Sequence, residues 1–334
     1  MKKNNEPKVG VLGAGAWGTT IAQLLSKNNS EILIWAKERS VVNNINTKHI
    51  NNSFLPNIKL SKRIKATSLL EEFNNINFLF VVIPVQYISS TLKKLKKIVG
   101  NDCVFINASK GIEIKSLKLV SHLINDAFPK NKIAILSGPN FAKEIAAGKP
   151  TASLIAANSL KKAKNISELI SSKYFRPYLS DDILGAQICG AMKNVYAIGC
   201  GIIEGKQFGE NAAASIISRG FAEIKLVCKK LGGETETLMG LSGLGDLFLT
   251  CSSNKSRNFS LGLNLAKGKN FENLLKSKKT IAEGAYTVKA IQRLSKKLKI
   301  NLPLNDAIYK ILYQNKNIDK TINELLNRPI RTEK

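Results

Sequence analysis

Short apolar runs alternate with amphipathic stretches along the first half of the chain, and the alternation then stops. Lys8–Leu12, Glu31–Trp35, Phe78–Ile83, Cys103–Asn107, Lys132–Leu136 and Thr151–Ala156 are apolar runs bounded by Gly, Pro, Asn or charge, and they read as strands. Between them, Trp17–Lys27, Val85–Val99, Leu117–Ala127 and Leu160–Ser171 have helical period and length. A strand–helix unit repeated in this way predicts a parallel sheet wrapped by helices. After Asp181 the apolar spacing is helical in Asp181–Gly199, Asn211–Leu231, Phe259–Lys267, Tyr286–Leu298, Asn305–Tyr313 and Asp319–Leu326. Two domains are therefore expected, an α/β domain over residues 1–180 and an all-α domain over residues 181–334. Ile183 is also able to start a helix shared by both.

Composition narrows the chemistry. The 334 residues carry a net charge of +27, yet 44% of them are hydrophobic, which excludes a disordered basic tail. The basic residues are 43 Lys and 8 Arg, scattered along the chain with few aromatics among them. Nucleic-acid readers favour Arg and stacking aromatics on one face, so no nucleic-acid partner is expected. The positive field instead suits small anionic substrates and cofactors. With only His49 and His122 present, Ser-His-Asp triads and His-based zinc sites are all but excluded, and acid–base work falls to Lys, Asp or Glu. The five cysteines contain no C-x-x-C pair and read as free thiols in a reducing cytoplasm. Met1–Pro7 lacks the apolar stretch of a secretory signal. The apolar segment Ile183–Ile203 carries Gln187, Lys193 and Asn194 near its middle, so it reads as a buried helix and not as a membrane span.

Several short motifs carry chemistry. Gly13, Gly15 and Gly18 form G-x-G-x-x-G directly after the first strand and at the start of a helix, with Ala16 and Trp17 inside it. This is the fingerprint of a dinucleotide on a Rossmann-type doubly wound sheet, where a helix N-terminus meets the pyrophosphate. Lys37 follows the second strand with Arg39 close by, and cations there suit the 2′-phosphate of NADP, while Glu38 keeps NAD open. Two turns follow strand ends at the carboxyl edge of the sheet: Asn107–Gly111, which holds Lys110, and Ser137–Ala142, which holds Gly138 and Asn140. Either is a ligand loop or plain turn chemistry.

Lys193 lies in a helix whose neighbours are apolar or small on every face, so burial should lower its pKa. Its natural counter-charge is Asp246, in the Gly-rich segment Leu241–Leu247, or Glu223. Ser256-Arg257-Asn258 precedes a helix and is either a phosphate clamp or an ordinary cap. Ile281-Ala282-Glu283-Gly284 places an acid in a turn between helices, and spacing alone gives Glu283 no role.

Seven motifs, in order, resemble one family across nearly the whole chain, the bacterial NAD(P)-dependent glycerol-3-phosphate dehydrogenases. They are G-A-G-A-W-G at Gly13–Gly18, A-S-K-G at Ala108–Gly111, S-G-P-N-F-A at Ser137–Ala142, M-K-N-V at Met192–Val195, S-G-L-G-D-L at Ser242–Leu247, S-R-N at Ser256–Asn258 and A-E-G at Ala282–Gly284. The resemblance implies reversible reduction of dihydroxyacetone phosphate to sn-glycerol 3-phosphate for phospholipid synthesis, in a cytoplasmic homodimer. It implies that Lys193 is the acid/base and that Asp246 tunes it. Lys110, Gly138, Asn140, Ser256, Arg257 and Asn258 would meet the substrate. Gly13, Gly15, Ala16, Trp17, Gly18, Lys37, Lys110, Ala142, Arg257, Ile281 and Glu283 would meet the cofactor, with NADPH preferred over NADH. Ala16, Asn140 and Lys37 depart from the family's usual Ser, Ser or Thr, and Arg or His. A related dehydrogenase of hydroxy acids or sugar acid phosphates would share the glycine fingerprint, but S-R-N and G-L-G-D favour glycerol phosphate.

Overall fold

A computed structural model of the chain describes residues 6–277, 282–330 and 332. Its strands are β1 (Val9–Leu12), β2 (Ile32–Trp35), β3 (Ile50–Asn51), β4 (Leu55–Lys59), β5 (Ile64–Thr67), β6 (Phe78–Val81), β7 (Val104–Asn107), β8 (Lys132–Ser137), β9 (Thr151–Ala157) and β10 (Phe175–Ser180). Eight of them form one sheet in the order β10-β9-β8-β7-β6-β1-β2-β5, and β3 and β4 make a separate hairpin. The helices of this half are α1 (Ala16–Leu25), α2 (Arg39–Asn43), α3 (Ile88–Leu95), α4 (Val120–Ala127), α5 (Ala142–Ala146) and α6 (Leu160–Ile170). Strands buried on both faces need apolar side chains in both directions. Val9, Val11, Ile32 and Ile34 accordingly pack with Ile21 and Leu25 of α1 and Ile166 of α6, while Leu12, Leu79, Val81 and Phe105 pack with α3 and α4 on the other face.

All six expected strands form, but the expectation of a parallel sheet is corrected on one side. β9 runs antiparallel to β8, with Leu136 opposite Ile155, and β10 then follows β9 in parallel. A parallel return needs a crossover that carries the chain back to the other end of the sheet. The β8–β9 connection holds only the five-residue α5, and Thr20 of α1 donates to Ala142 O at 3.1 Å, which keeps α5 at the carboxyl edge. A second correction concerns the helix expected from Leu117. It starts at Val120, because Leu117 is left-handed (φ 60°) and Leu119 is bridged to Ile112.

The second half is helical, with α7 (Ile183–Gly205), α8 (Glu210–Leu231), α9 (Thr235–Leu238), α10 (Asp246–Cys251), α11 (Arg257–Ala266), α12 (Phe271–Ser277), α13 (Glu283–Leu298), α14 (Pro303–Tyr313) and α15 (Ile318–Leu326). Asp182 caps α7 by accepting from Gly185 N at 2.8 Å. Every residue from Gly185 to Ile203 is buried, because α8, α10, α11, α13 and α14 pack around this one helix. Glycines let the α7 and α11 backbones touch: a Cβ on Gly201 would run into Phe259 O, and one on Gly262 into Ile198 O. The first turns of α7 pack on the sheet through Ile183 and Ala186, against Ile135, Leu154 and Ala156. Gln187 adds two bonds to Ser121 of α4, at 2.8 and 3.0 Å. A helix that begins on the sheet and runs into the helical core fixes the two halves against each other. Among the described residues, no helix is long and apolar enough to cross a membrane.

Candidate active site

β1 lies between β6 and β2, where the strand order reverses, and doubly wound sheets bind ligands outside the carboxyl ends of their strands at such a point. Gly13 makes the turn there with φ +121°, its N–H donating to Trp35 O at 3.1 Å, and a Cβ on it would sit 2.7 Å from Val82 O. A Cβ on Gly18 would run into Gly13 O, so this glycine permits the packing of α1 on the turn. Gly15 differs: its absent Cβ would meet nothing within 4 Å. The turn therefore leaves open space beside the N-cap residue of α1, and Trp17 Nε1 in its first turn is buried without an acceptor among the described residues. An open cradle facing a helix N-terminus fits a pyrophosphate. Lys37, Glu38 and Arg39 lie just past β2 and are all exposed.

Across this edge, three charges meet. Lys193 of α7 is 8% exposed, and its Nζ donates to Asp246 Oδ1 and, at 2.9 Å, to Thr250 Oγ1. Lys110, from the turn after β7, donates to the other oxygen of Asp246 at 2.5 Å and to Gly138 O at 3.0 Å. Asp246 is fully buried at the first turn of α10, so both its oxygens are committed to lysines. Burial pulls the Lys193 ammonium down to about 7, Asp246 opposes that, and the positive Lys110 adds to it. Two ammonium groups on one carboxylate leave the cluster with a net positive charge, and one member holds its proton loosely.

The Gly-rich segment begins with a single π-helical turn, Leu241–Gly245, leading into α10, which places Thr250 one turn after Asp246. Thr250 Oγ1 donates to Asp246 O at 2.6 Å while it accepts from Lys193. Sequence reasoning overlooks Thr250, although an (i, i+4) reading from Asp246 would find it once a helix is drawn there. It also overlooks Gly190, where a Cβ would sit 3.1 Å from Ser137 Oγ and 3.5 Å from Lys110 Cδ. The other candidate partner, Glu223, lies elsewhere: it accepts from Tyr196 OH (3.0 Å) and from the first N–H groups of α14, Leu304 N (2.6 Å) and Asn305 N (3.2 Å).

The remaining candidates ring this cluster unevenly. Asn140 Nδ2 donates to Ser153 Oγ at 3.0 Å, whereas its Oδ1 is buried without a partner among the described residues, as is Ser137 Oγ. Ala142 begins α5, and its carbonyl is held by Thr20. Ser256 is the N-cap of α11, accepting from Phe259 N at 3.3 Å. Asn258 is buried between helices, donating to Asn194 Oδ1 (2.8 Å) and accepting from Gly284 N (3.0 Å). Arg257 is exposed, and among the described residues no group accepts from its guanidinium. Glu283 is the first residue of α13 and not a turn residue; it reaches the other half of the molecule, where Oε1 accepts from Val85 N at 3.3 Å. Its Oε2 is buried without a partner among the described residues, and burial pushes its carboxyl up to about 7. Ile281 lies outside the described residues.

Comparison with known proteins agrees across the chain. Residues 8–163 match the family profile described as NAD-dependent glycerol-3-phosphate dehydrogenase N-terminus, and residues 182–323 match the corresponding C-terminus. The glycerol-3-phosphate dehydrogenase (NAD(P)+) of Parvibaculum lavamentivorans is 41% identical over 326 residues, 98% of each chain. That of Novosphingobium aromaticivorans is 44% identical over 327 residues, again 98% of each. Among solved structures, glycerol-3-phosphate dehydrogenase from Coxiella burnetii superposes with a TM-score of 0.93 at 31% identity, covering 97% of this chain and 99% of that one.

Proposed function

The chain belongs to the NAD-dependent glycerol-3-phosphate dehydrogenase family, and from that membership we propose that Lys193 is the group that exchanges a proton with the substrate oxygen. The protein is an NAD(P)-dependent oxidoreductase that interconverts dihydroxyacetone phosphate and sn-glycerol 3-phosphate. When bound, the reduced nicotinamide supplies the hydride. The chain's own residues supply a site for its pyrophosphate, orientation and the proton.

In the reductive direction the C2 carbonyl carbon gains a hydride and its oxygen gains a proton, giving the secondary alcohol. The protonated Lys193 is the donor, and the buried Asp246 keeps it charged until the oxygen becomes basic. Lys110, on the other oxygen of Asp246, adds positive charge beside the growing alkoxide and lowers the hold of Lys193 on its proton. After transfer, Thr250 and Asp246 keep the neutral amine in place. Gly138 and Asn140 border the substrate on the β8 side. Arg257 and the start of α11 take its phosphate, with Ser256 and Asn258 holding that turn in shape through the cap and the link to α7. Lys37, assisted by Arg39, reads the 2′-phosphate and gives NADPH the advantage.

The reading extends to the whole molecule. Residues 1–180 bind the dinucleotide and residues 181–334 close the substrate site. The protein works as a cytoplasmic homodimer without a nucleic-acid partner, its product feeding phospholipid synthesis. The five free, buried cysteines suit that compartment. The single observation that carries the proposal is the pair of lysines, one buried and one half-buried, on the fully buried Asp246 at the same carboxyl edge as the open glycine turn.

The test is consumption of NADPH, and separately NADH, by the purified protein with dihydroxyacetone phosphate, and with dihydroxyacetone as the phosphate-free control. Turnover is expected only with the phosphate ester. Arg257→Ala should raise KM for that ester by about 10- to 100-fold, the worth of a charge-assisted contact. Equal turnover of both ketones, or an unchanged KM, would remove the phosphate clamp from the mechanism.

A further inference from the structure

The β3–β4 hairpin lies between β2 and β5 in sequence but outside the main sheet, and its one buried polar side chain points at the glycine turn. Asn51 is 1% exposed. Its Nδ2 donates at 2.8 Å to Ala14 O and at 2.8 Å to Thr19 Oγ1, and Thr19 Oγ1 donates at 3.2 Å to the same Ala14 carbonyl. Two donors from two elements thus converge on one oxygen, that of the residue between Gly13 and Gly15.

The consequence follows from peptide geometry. In a planar trans peptide the C=O of one residue and the N–H of the next point in opposite directions. Anchoring Ala14 O to Asn51 and Thr19 therefore turns the Gly15 N–H away from them, at a residue where even an added Cβ would meet nothing within 4 Å. Gly15 itself imposes little conformational restraint on that peptide, so the anchored carbonyl is what fixes it. Among the described residues no group accepts from the Gly15 N–H. Asn51 Oδ1 is itself buried without a partner among those residues, so the amide is kept in the core for its donors alone, at the cost of an unsatisfied acceptor.

We propose that Asn51, acting with Thr19, is a positioning residue for the dinucleotide: by anchoring Ala14 O it holds the Gly15 N–H aimed at the pyrophosphate. The hairpin is then a buttress of the nucleotide site. This rests on the reading of the glycine turn as the nucleotide site. A preset N–H costs no reorganisation when the anion arrives, whereas a freely turning peptide must be ordered at that moment.

The test uses the full-length protein and measures the NADPH dissociation constant by fluorescence, together with KM for each substrate and kcat. Asn51→Asp keeps shape and volume but sets an oxygen against Ala14 O. It should weaken NADPH binding about tenfold or more, raise KM for NADPH in proportion, and leave KM for dihydroxyacetone phosphate and kcat at saturating NADPH within about twofold. Thr19→Val, isosteric and a second route to the same carbonyl, should act in the same direction, and the double variant should be less than additive. Wild-type affinity in both single variants overturns the inference, as does a loss shared equally by NADPH affinity, ketone KM and melting temperature. A wild-type protein that binds neither NADPH nor NADH would instead overturn the reading of the turn as a nucleotide site.

Discussion

Six consecutive residues, Gly13–Gly18, form the turn proposed for the nucleotide and meet it with their backbone, whereas the cluster proposed for proton transfer draws Lys110, Lys193 and Asp246 from a loop and two helices, with ion pairs spanning 53 and 136 positions. In the first region the side chains matter by being absent. A Cβ at Gly13 or Gly18 would strike backbone, while Gly15 faces open space. In the second region the side chains are everything, and burial sets their chemistry: the same ammonium that is an ordinary cation on the surface holds its proton loosely at Lys193. The difference teaches that the shape of the proposed anion site follows mainly from local chain path, with Asn51 as a distant brace, whereas the proposed proton-transfer cluster exists only through tertiary packing.

The largest effect should come from removing the proposed proton donor. Lys193→Met keeps the length of the side chain and leaves Asp246 paired with Lys110, so the fold should persist while kcat falls by about 10²–10⁴-fold. The dissociation constant for NADPH should stay near that of the wild type in a binding titration. Near-normal kcat would place the proton elsewhere and dissolve the contrast between the regions.

Gly18→Ala should do the converse. Its new Cβ meets the Gly13 carbonyl and must displace the turn, so NADPH affinity should fall about tenfold or more, with a smaller loss of kcat at saturation. Unchanged affinity would show that the turn tolerates side chains and does not approach the anion.

The smallest effect is a pH dependence that only the buried cluster should show. With Lys193 as the proposed proton donor, kcat for reduction should be full below about 7 and fall by at most about tenfold per pH unit above it, while oxidation of glycerol 3-phosphate rises through the same range. The linked stability has a definite sign. From about 7 up to the ordinary lysine value of 10.5 the unfolded chain keeps a proton that folded Lys193 has released, so stability rises with pH there. NADPH binding at the glycine turn should not follow this profile. A flat kcat profile across that range would detach Lys193 from the rate.

Much of this was legible in the chain. Strand–helix alternation gave the doubly wound half, and its cessation after Asp181 gave the helical half. Lys193, surrounded by apolar and small residues in sequence, is buried in fact, and of its two candidate partners it meets Asp246. Four strands were not anticipated. Phe175–Ser180 contains Pro177 and lies at the sheet edge, Ile64–Thr67 forms the other edge, and the hairpin lacks alternation, so none carries the pattern of a buried strand.

Sequence by itself determined whatever depends on neighbours a few positions apart: the glycine turn, the helical period and the pressure to bury Lys193. Tertiary structure alone decided the reversal of β9, because the length and docking of α5 set the direction of return. It alone gave one carboxylate two lysines, brought Glu283 across to Val85 and aimed Asn51 at Ala14. Each of those contacts joins residues about 40 to 200 positions apart. Burial, which sets both their energies and their protonation, exists only once distant segments have packed.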